Sequence, residues 1–133
     1  MIFTPRGFLL IGGAILILVG ILGFIGVIGP TASSSIFGAS WWFDNAENWA
    51  HLVLGVVGMI AGFAAPASLQ RPLVMILGVV GVLVAVYNVF STTLLGANLE
   101  SPADLVLHLV VGLWALTASL KKPTAGMSPM MPS

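Results

Sequence analysis

The chain has 133 residues, 59% of them hydrophobic and 6% charged, with a mean hydropathy of +1.14. A soluble domain carries about a quarter charged residues, so this composition points to lipid as the solvent. Four basic and four acidic residues cancel, which leaves no surface suited to nucleic acid, and the absence of cysteine removes disulfides, thiolate zinc sites and thiol catalysis.

Residues 1–7 form a short basic lead-in, in which Thr4 precedes Pro5 as an N-cap precedes a proline at the first helical position. The apolar run over 8–29 predicts a first membrane helix. Arg6 before it and Thr31-Ala32-Ser33 after it also suit a signal peptide, but the run exceeds the roughly 7–15 apolar residues of such a segment. Residues 30–43 form a loop rich in Ser, Gly and aromatics. Trp41, Trp42, Phe43 and the nearby Trp49 are placed as a water–lipid interface belt would be, with an aromatic lid over a ligand as the alternative.

Asp44-Asn45-Ala46-Glu47 reads as a capping box, with Asp44 at the N-cap and Glu47 at N3. It opens a second helix over 45–65, which stops before Pro66. Residues 67–71 are expected to turn tightly, Pro72 to open a third helix over 72–95, and 96–100 to form a short loop. Ser101-Pro102-Ala103-Asp104 reads as a second capping box for a fourth helix over 102–120, closed by Lys121, Lys122 and Pro123. The polar, proline-containing tail 123–133 is expected to be disordered. Its Met127, Met130 and Met131 are soft donors for Cu(I) but too few to define a site.

The expected fold is an all-α membrane protein with four transmembrane helices, each long enough for a hydrocarbon core of about 30 Å. Arg6, Arg71, Lys121 and Lys122 sort to one side of it, and Asp44, Glu47, Glu100 and Asp104 to the other. The positive-inside rule then places both termini in the cytoplasm.

The four helices read as a duplicated two-helix hairpin, 1–66 and 67–122. Aligning Arg6 with Arg71 brings Gly13 onto Gly78 and Gly20 onto Ala85. Aligning His51 with His108 brings Glu47 onto Asp104, Gly55 onto Gly112, Gly58 onto Ala115 and Gly62 onto Ser119. Each unit crosses the membrane twice, so the repeats share one orientation about an axis along the membrane normal, unlike inverted repeats.

His51 and His108 are the only histidines. Each is expected roughly 10 Å below the outer end of its helix, level with Asn88 on the third helix. Glu47, His51, Gly55, Gly58 and Gly62 fall within about 80° of arc, as do Asp104, His108, Gly112, Ala115 and Ser119. Small residues on one face of a membrane helix mark close helix packing. Gly55, Gly58, Gly62, Gly112 and Ala115 are therefore expected at helix contacts, with both histidines facing the bundle.

The leading reading is structural. The carboxylates are helix caps, the histidines fix register through hydrogen bonds, and the protein is a non-enzymatic structural, assembly or accessory subunit that needs no cofactor. Its partners are the lipid bilayer and either further copies of itself or a larger membrane complex. One alternative is a haem or pigment site, with His51 and His108 as axial ligands, Asn88 alongside, and the following glycines leaving room for a flat ring. Another is a metal ion held by His51, His108, Glu47 and Asp104. A third is movement of a small solute or protons, opposed by the lack of polar residues in the inner halves of the first three helices. Ser33–Ser35 lacks the setting of a catalytic nucleophile.

The helix start Asn48-Trp49-Ala50-His51-Leu52-Val53-Leu54-Gly55 resembles an uncharacterised family of bacterial four-helix membrane proteins, classed as a domain of unknown function. The resemblance covers most of the chain; the second copy, 105–112, lacks the asparagine. It implies a multi-pass protein of the bacterial inner membrane and brings no activity.

Overall fold

The computed structural model describes residues 1–121; Lys122, the tail 123–133 and its methionines lie outside the described residues. The described chain folds into four helices: α1 (Pro5–Phe24), α2 (Asn45–Ala64), α3 (Ala67–Phe90) and α4 (Ala103–Leu120). All four are long and apolar enough to cross a membrane. Two short 3-10 turns, Ala32–Ser34 and Gly38–Ser40, lie between α1 and α2, and a small hairpin of β1 (Thr93–Leu94) and β2 (Ala97–Asn98) lies between α3 and α4.

α1 starts at its proline because the Thr4 side chain accepts from the Gly7 N–H at 3.0 Å. It ends at Phe24, five residues short of the expected 29. Gly26 takes a left-handed φ of 89°, and the chain turns back on itself. Val27 and Ile28 accept from Ile36 and Phe43, so the last apolar residues of the run form a loop that buries Ile28, 4% exposed, and leaves Ile25 outside. Hydropathy is the same on either side of this boundary; the backbone conformation that only glycine adopts freely is what sets it.

α2 begins with the expected capping box: Asp44 Oδ1 accepts from Glu47 N at 2.9 Å and Glu47 Oε1 from Asp44 N at 3.4 Å. It stops at Ala64, two residues before Pro66, with Ala65 as its C-cap. The next residues are not the expected turn. α3 starts at Ala67, and Pro72 lies inside it. Proline leaves one carbonyl four residues back without a helical partner; here that residue is Ser68, which is exposed. The Gln70 side chain closes the α2–α3 corner by donating to the carbonyls of Ala61, Gly62 and Ala65 at 3.0–3.2 Å. A glutamine thus satisfies the C-terminal carbonyls that a helix otherwise leaves open.

α3 also ends earlier than expected, at Phe90. Ser91 is extended, its Oγ accepts from Thr93 N and donates to Thr93 O, and the Asn88 side chain donates to the Ser91 carbonyl. Such local side-chain bonds compete with the helix. Leu95 and Gly96 then take φ of 52° and 84°, as a two-residue hairpin turn requires. The loop expected over 96–100 is therefore the second half of a β-hairpin. The second capping box does not form: Pro102 stands at the N-cap of α4, and no side chain caps that helix.

Packing within α1–α2 and α3–α4 is set by glycine. A Cβ on Gly55 would lie 2.7 Å from the Gly13 carbonyl oxygen, and one on Gly112 would lie 3.0 Å from that of Gly78. The backbones of each hairpin meet directly at these points, so many weak dispersion contacts replace the hydrophobic driving force that lipid does not supply. Gly62 is buried against Leu9 and Leu10, and Gly58 faces the Leu9 carbonyl. The two hairpins join through Phe8, Leu9, Val74, Ala115 and Ala118. Phe8 meets Trp114 edge-on at 4.6 Å, and Trp114 Nε1 donates to the Ile2 carbonyl at 2.7 Å.

Arg6, Arg71 and Lys121 all lie at the end of the bundle where α1 and α3 start and α2 and α4 finish. Arg6 Nε donates to the Gly62 carbonyl at 3.1 Å and Arg71 Nε to the Ser119 carbonyl at 2.8 Å. All four acidic residues lie at the opposite end, around the hairpin and the starts of α2 and α4.

Candidate functional site

At the acidic end, α2, α3, α4 and the β-hairpin enclose a cleft of about 280 Å³. Its polar lining is Glu47, His51 and His108; Leu54, Val84, Leu94 and Leu99 are among its apolar walls. The cleft exists because the hairpin is tied down over the ends of α2 and α4. Asn98 N donates to Asp44 Oδ2 at 2.7 Å, Leu99 N donates to the Thr92 carbonyl at 2.7 Å, and Leu99 is 4% exposed. Asp44 thus caps α2 with one oxygen and fastens the hairpin with the other.

The two histidines share this cleft, but their hydrogen bonding differs. His108 Nδ1 donates to the carbonyl of Asp104 one turn back, at 2.7 Å. A carbonyl only accepts, so Nδ1 carries a proton, and in the neutral ring Nε2 is the acceptor. His51 packs edge-on against Phe43 at 5.1 Å, and its Nδ1 is buried without a partner. Glu47 is 4% exposed; Oε1 accepts within the capping box, and Oε2 has no hydrogen-bond partner.

Asn88 and Asp104 are not with them. Asn88 is buried but turns its amide to Ser91, at the end of its own helix, and does not line the cleft. Asp104 accepts from Trp41 Nε1 at 3.0 Å through Oδ1 and from Glu100 N at 2.6 Å through Oδ2. The level polar layer of His51, Asn88 and His108 is therefore replaced by a cleft holding two histidines and one glutamate. Among the described residues no three His, Asp or Glu side chains are grouped to hold a metal ion, so the four-residue set of His51, His108, Glu47 and Asp104 is not assembled. The space expected for a flat ring beside the histidines is also filled: Gly55 is occupied by Gly13 and Ile17, and Gly112 by Gly78 and Val82. The cleft lies just below the roughly 300–1,000 Å³ of ordinary small-molecule pockets and is smaller than a tetrapyrrole needs.

The aromatic loop does more than line an interface. Phe37, Trp41, Phe43 and His51 form a run of rings with centroids 5.0–5.2 Å apart. Phe43 is 3% exposed and belongs to the interior, whereas Trp49 is 59% exposed and packs edge-on against Phe24. Asn48 is fully buried, and a Cβ on Gly23 would collide with its side-chain amide. The asparagine of the helix-start motif is thus a contact of α2 with α1. The walls supplied by Leu94, Leu95, Ala97 and Leu99 have no sequence signal beyond Gly96, the residue that permits the hairpin turn.

Comparisons with protein-family models, with curated proteins and with solved structures return no match.

Proposed function

We propose that this chain is a non-enzymatic structural or accessory subunit of the bacterial inner membrane, related to the four-helix family its helix-start motif resembles. It spans the membrane four times as a duplicated hairpin with both termini cytoplasmic. The observation that carries this reading is the division of its surface. The closely packed glycines, Gly13 with Gly55 and Gly78 with Gly112, are spent on contacts inside each hairpin, while large apolar side chains point outward along the helices, among them Leu18, Val57, Ile60 and Leu83 at 55–60% exposed. Such a surface suits acyl chains and the apolar faces of neighbouring membrane helices.

The duplication is supported by two pairs of equivalent contacts. Gly13 with Gly55 and Gly78 with Gly112 are matched positions in the repeat alignment, as are Arg6 with Gly62 and Arg71 with Ser119. The cytoplasmic placement of the termini rests on the sorting of the basic residues to one end. Passage of a solute or proton is less well supported. Between the cleft and the basic end, the buried residues at the helix contacts are Gly58, Val74, Gly78, Gly112 and Ala115, and the buried polar Gln70 and Ser119 come only at the basic end itself, so no continuous polar path joins the two.

In-membrane photo-crosslinking tests the subunit role. A photoreactive residue at Leu83 or Val57 is expected to give one discrete protein adduct in native membranes. Adducts to lipid alone at both positions overturn it. Cysteine labelling in intact cells tests the topology: Ala97→Cys is expected to react with an impermeant reagent from outside and Ser68→Cys not to.

A further inference from the structure

The cleft combines features that the structural role leaves unused. Glu47 is almost wholly buried, yet Oε2 has no partner. It lines the cleft from the first turn of α2. A buried carboxylate without a cation is costly. Among the described residues the bases are Arg6, Arg71 and Lys121, all at the far end of helices about 30 Å long. None of the described bases therefore reaches Glu47. His108 presents a second acceptor, Nε2, because Nδ1 is committed to Asp104.

These groups discriminate among ligands. Phosphate or carboxylate headgroups would meet Asp44, Glu47, Glu100 and Asp104 with no base to receive them. A quinone offers only acceptors and would leave Glu47 Oε2 without a donor. A bare metal ion lacks a third protein ligand among the described residues. The apolar walls from Leu54, Val84, Leu94 and Leu99 require the rest of the ligand to be hydrocarbon. We propose that the cleft binds a small cationic amphiphile, a protonated primary amine on an apolar body, with its ammonium at Glu47 and His108 and its body against these walls. The ammonium brings both the missing charge and three donors. The reading is independent of the subunit role.

The test uses the full chain in maltoside micelles. Binding of 1-aminoadamantane is compared with that of 1-adamantanol, which has the same body without the charge, by ligand-observed NMR. The amine is expected to bind saturably and at least tenfold more tightly than the alcohol. Glu47→Gln keeps a side chain able to close the capping box and is expected to weaken the amine at least tenfold without weakening the alcohol or lowering the thermal unfolding temperature. Leu94→Trp fills the cleft and is expected to abolish binding of both. Adding phosphatidylethanolamine or phosphatidylglycerol to the micelles identifies the source. Competition by the former alone marks a lipid headgroup as the natural amine, and competition by neither marks a free one. Equal binding of amine and alcohol, or an unchanged amine affinity in Glu47→Gln, overturns the proposal.

Discussion

Arg71 donates from Nε to the carbonyl of Ser119 at 2.8 Å, fastening the start of α3 to the end of α4. The bond satisfies a carbonyl at a helix C-terminus, where positive charge is favoured. Arg6 makes the matching bond to Gly62, but at 3.1 Å and from an exposed side chain. The two arginines hold matched positions and are unequal in burial.

That inequality predicts unequal costs. Arg71→Ala is expected to destabilise the protein by about 1–2 kcal/mol, the range of a hydrogen bond to a charged group that is partly shielded from water. Arg6→Ala is expected to cost less than about 1 kcal/mol, because water replaces an exposed donor readily. Unfolding by dodecyl sulfate in mixed micelles measures both. Equal costs would show that burial does not separate the two bonds.

The glycines give a prediction with opposite signs. Gly55→Ala places a Cβ 2.7 Å from the Gly13 carbonyl oxygen, so the α1 and α2 backbones must part. The expected cost is about 1–3 kcal/mol, as for other overpacked sites. Gly12 lies in the same hairpin, but a Cβ there meets Phe8 and Trp114 at an ordinary 3.8 Å. Gly12→Ala is expected to stabilise by about 0.5–1 kcal/mol, since alanine loses less backbone freedom than glycine in a helix. The same unfolding assay checks both, and a stabilised Gly55→Ala would contradict the close backbone contact.

Much of this architecture was legible in the sequence. Hydropathy gave four helices long and apolar enough to cross a membrane, and the capping box gave the start of α2; α1 starts at the Thr4-Pro5 cap, three residues before the apolar run expected to begin at 8. The remaining boundaries depended on properties that hydropathy does not carry. α1 ends where Gly26 turns left-handed inside an apolar run, and α3 ends where Ser91 and Asn88 bond to the local backbone. Pro72 looked like a helix start because proline is favoured in the first turn. It sits further in because Pro66 can stand at the N-cap and Ser68 is exposed. The site was legible as far as His51, His108 and Glu47, which line one cleft. Asn88 and Asp104 were misplaced because depth along a helix says nothing of the direction in which a short side chain turns. The hairpin walls depend on long-range bonds, such as Asp44 with Asn98, that no local pattern encodes.

The link between Trp41 and Asp104 yields the last prediction. Asp104 is fully buried and accepts from Trp41 Nε1 and from Glu100 N. It therefore holds the loop before α2 and the start of α4 in one network. Asp104→Ala leaves both donors without a partner and is expected to cost about 1–3 kcal/mol, the penalty for buried groups left unsatisfied. Trp41→Phe keeps an aromatic ring against Phe37 and Phe43 but loses the indole N–H, so it removes the bond with little loss of packing. A double-mutant cycle of the two is expected to show a coupling of about 1 kcal/mol, read by the same unfolding assay. Hydrogen exchange at residues 35–43 is expected to rise in either single variant and to rise little further in the double. A coupling near zero would mean that the loop is held by ring packing alone, and that Asp104 serves only the start of its own helix.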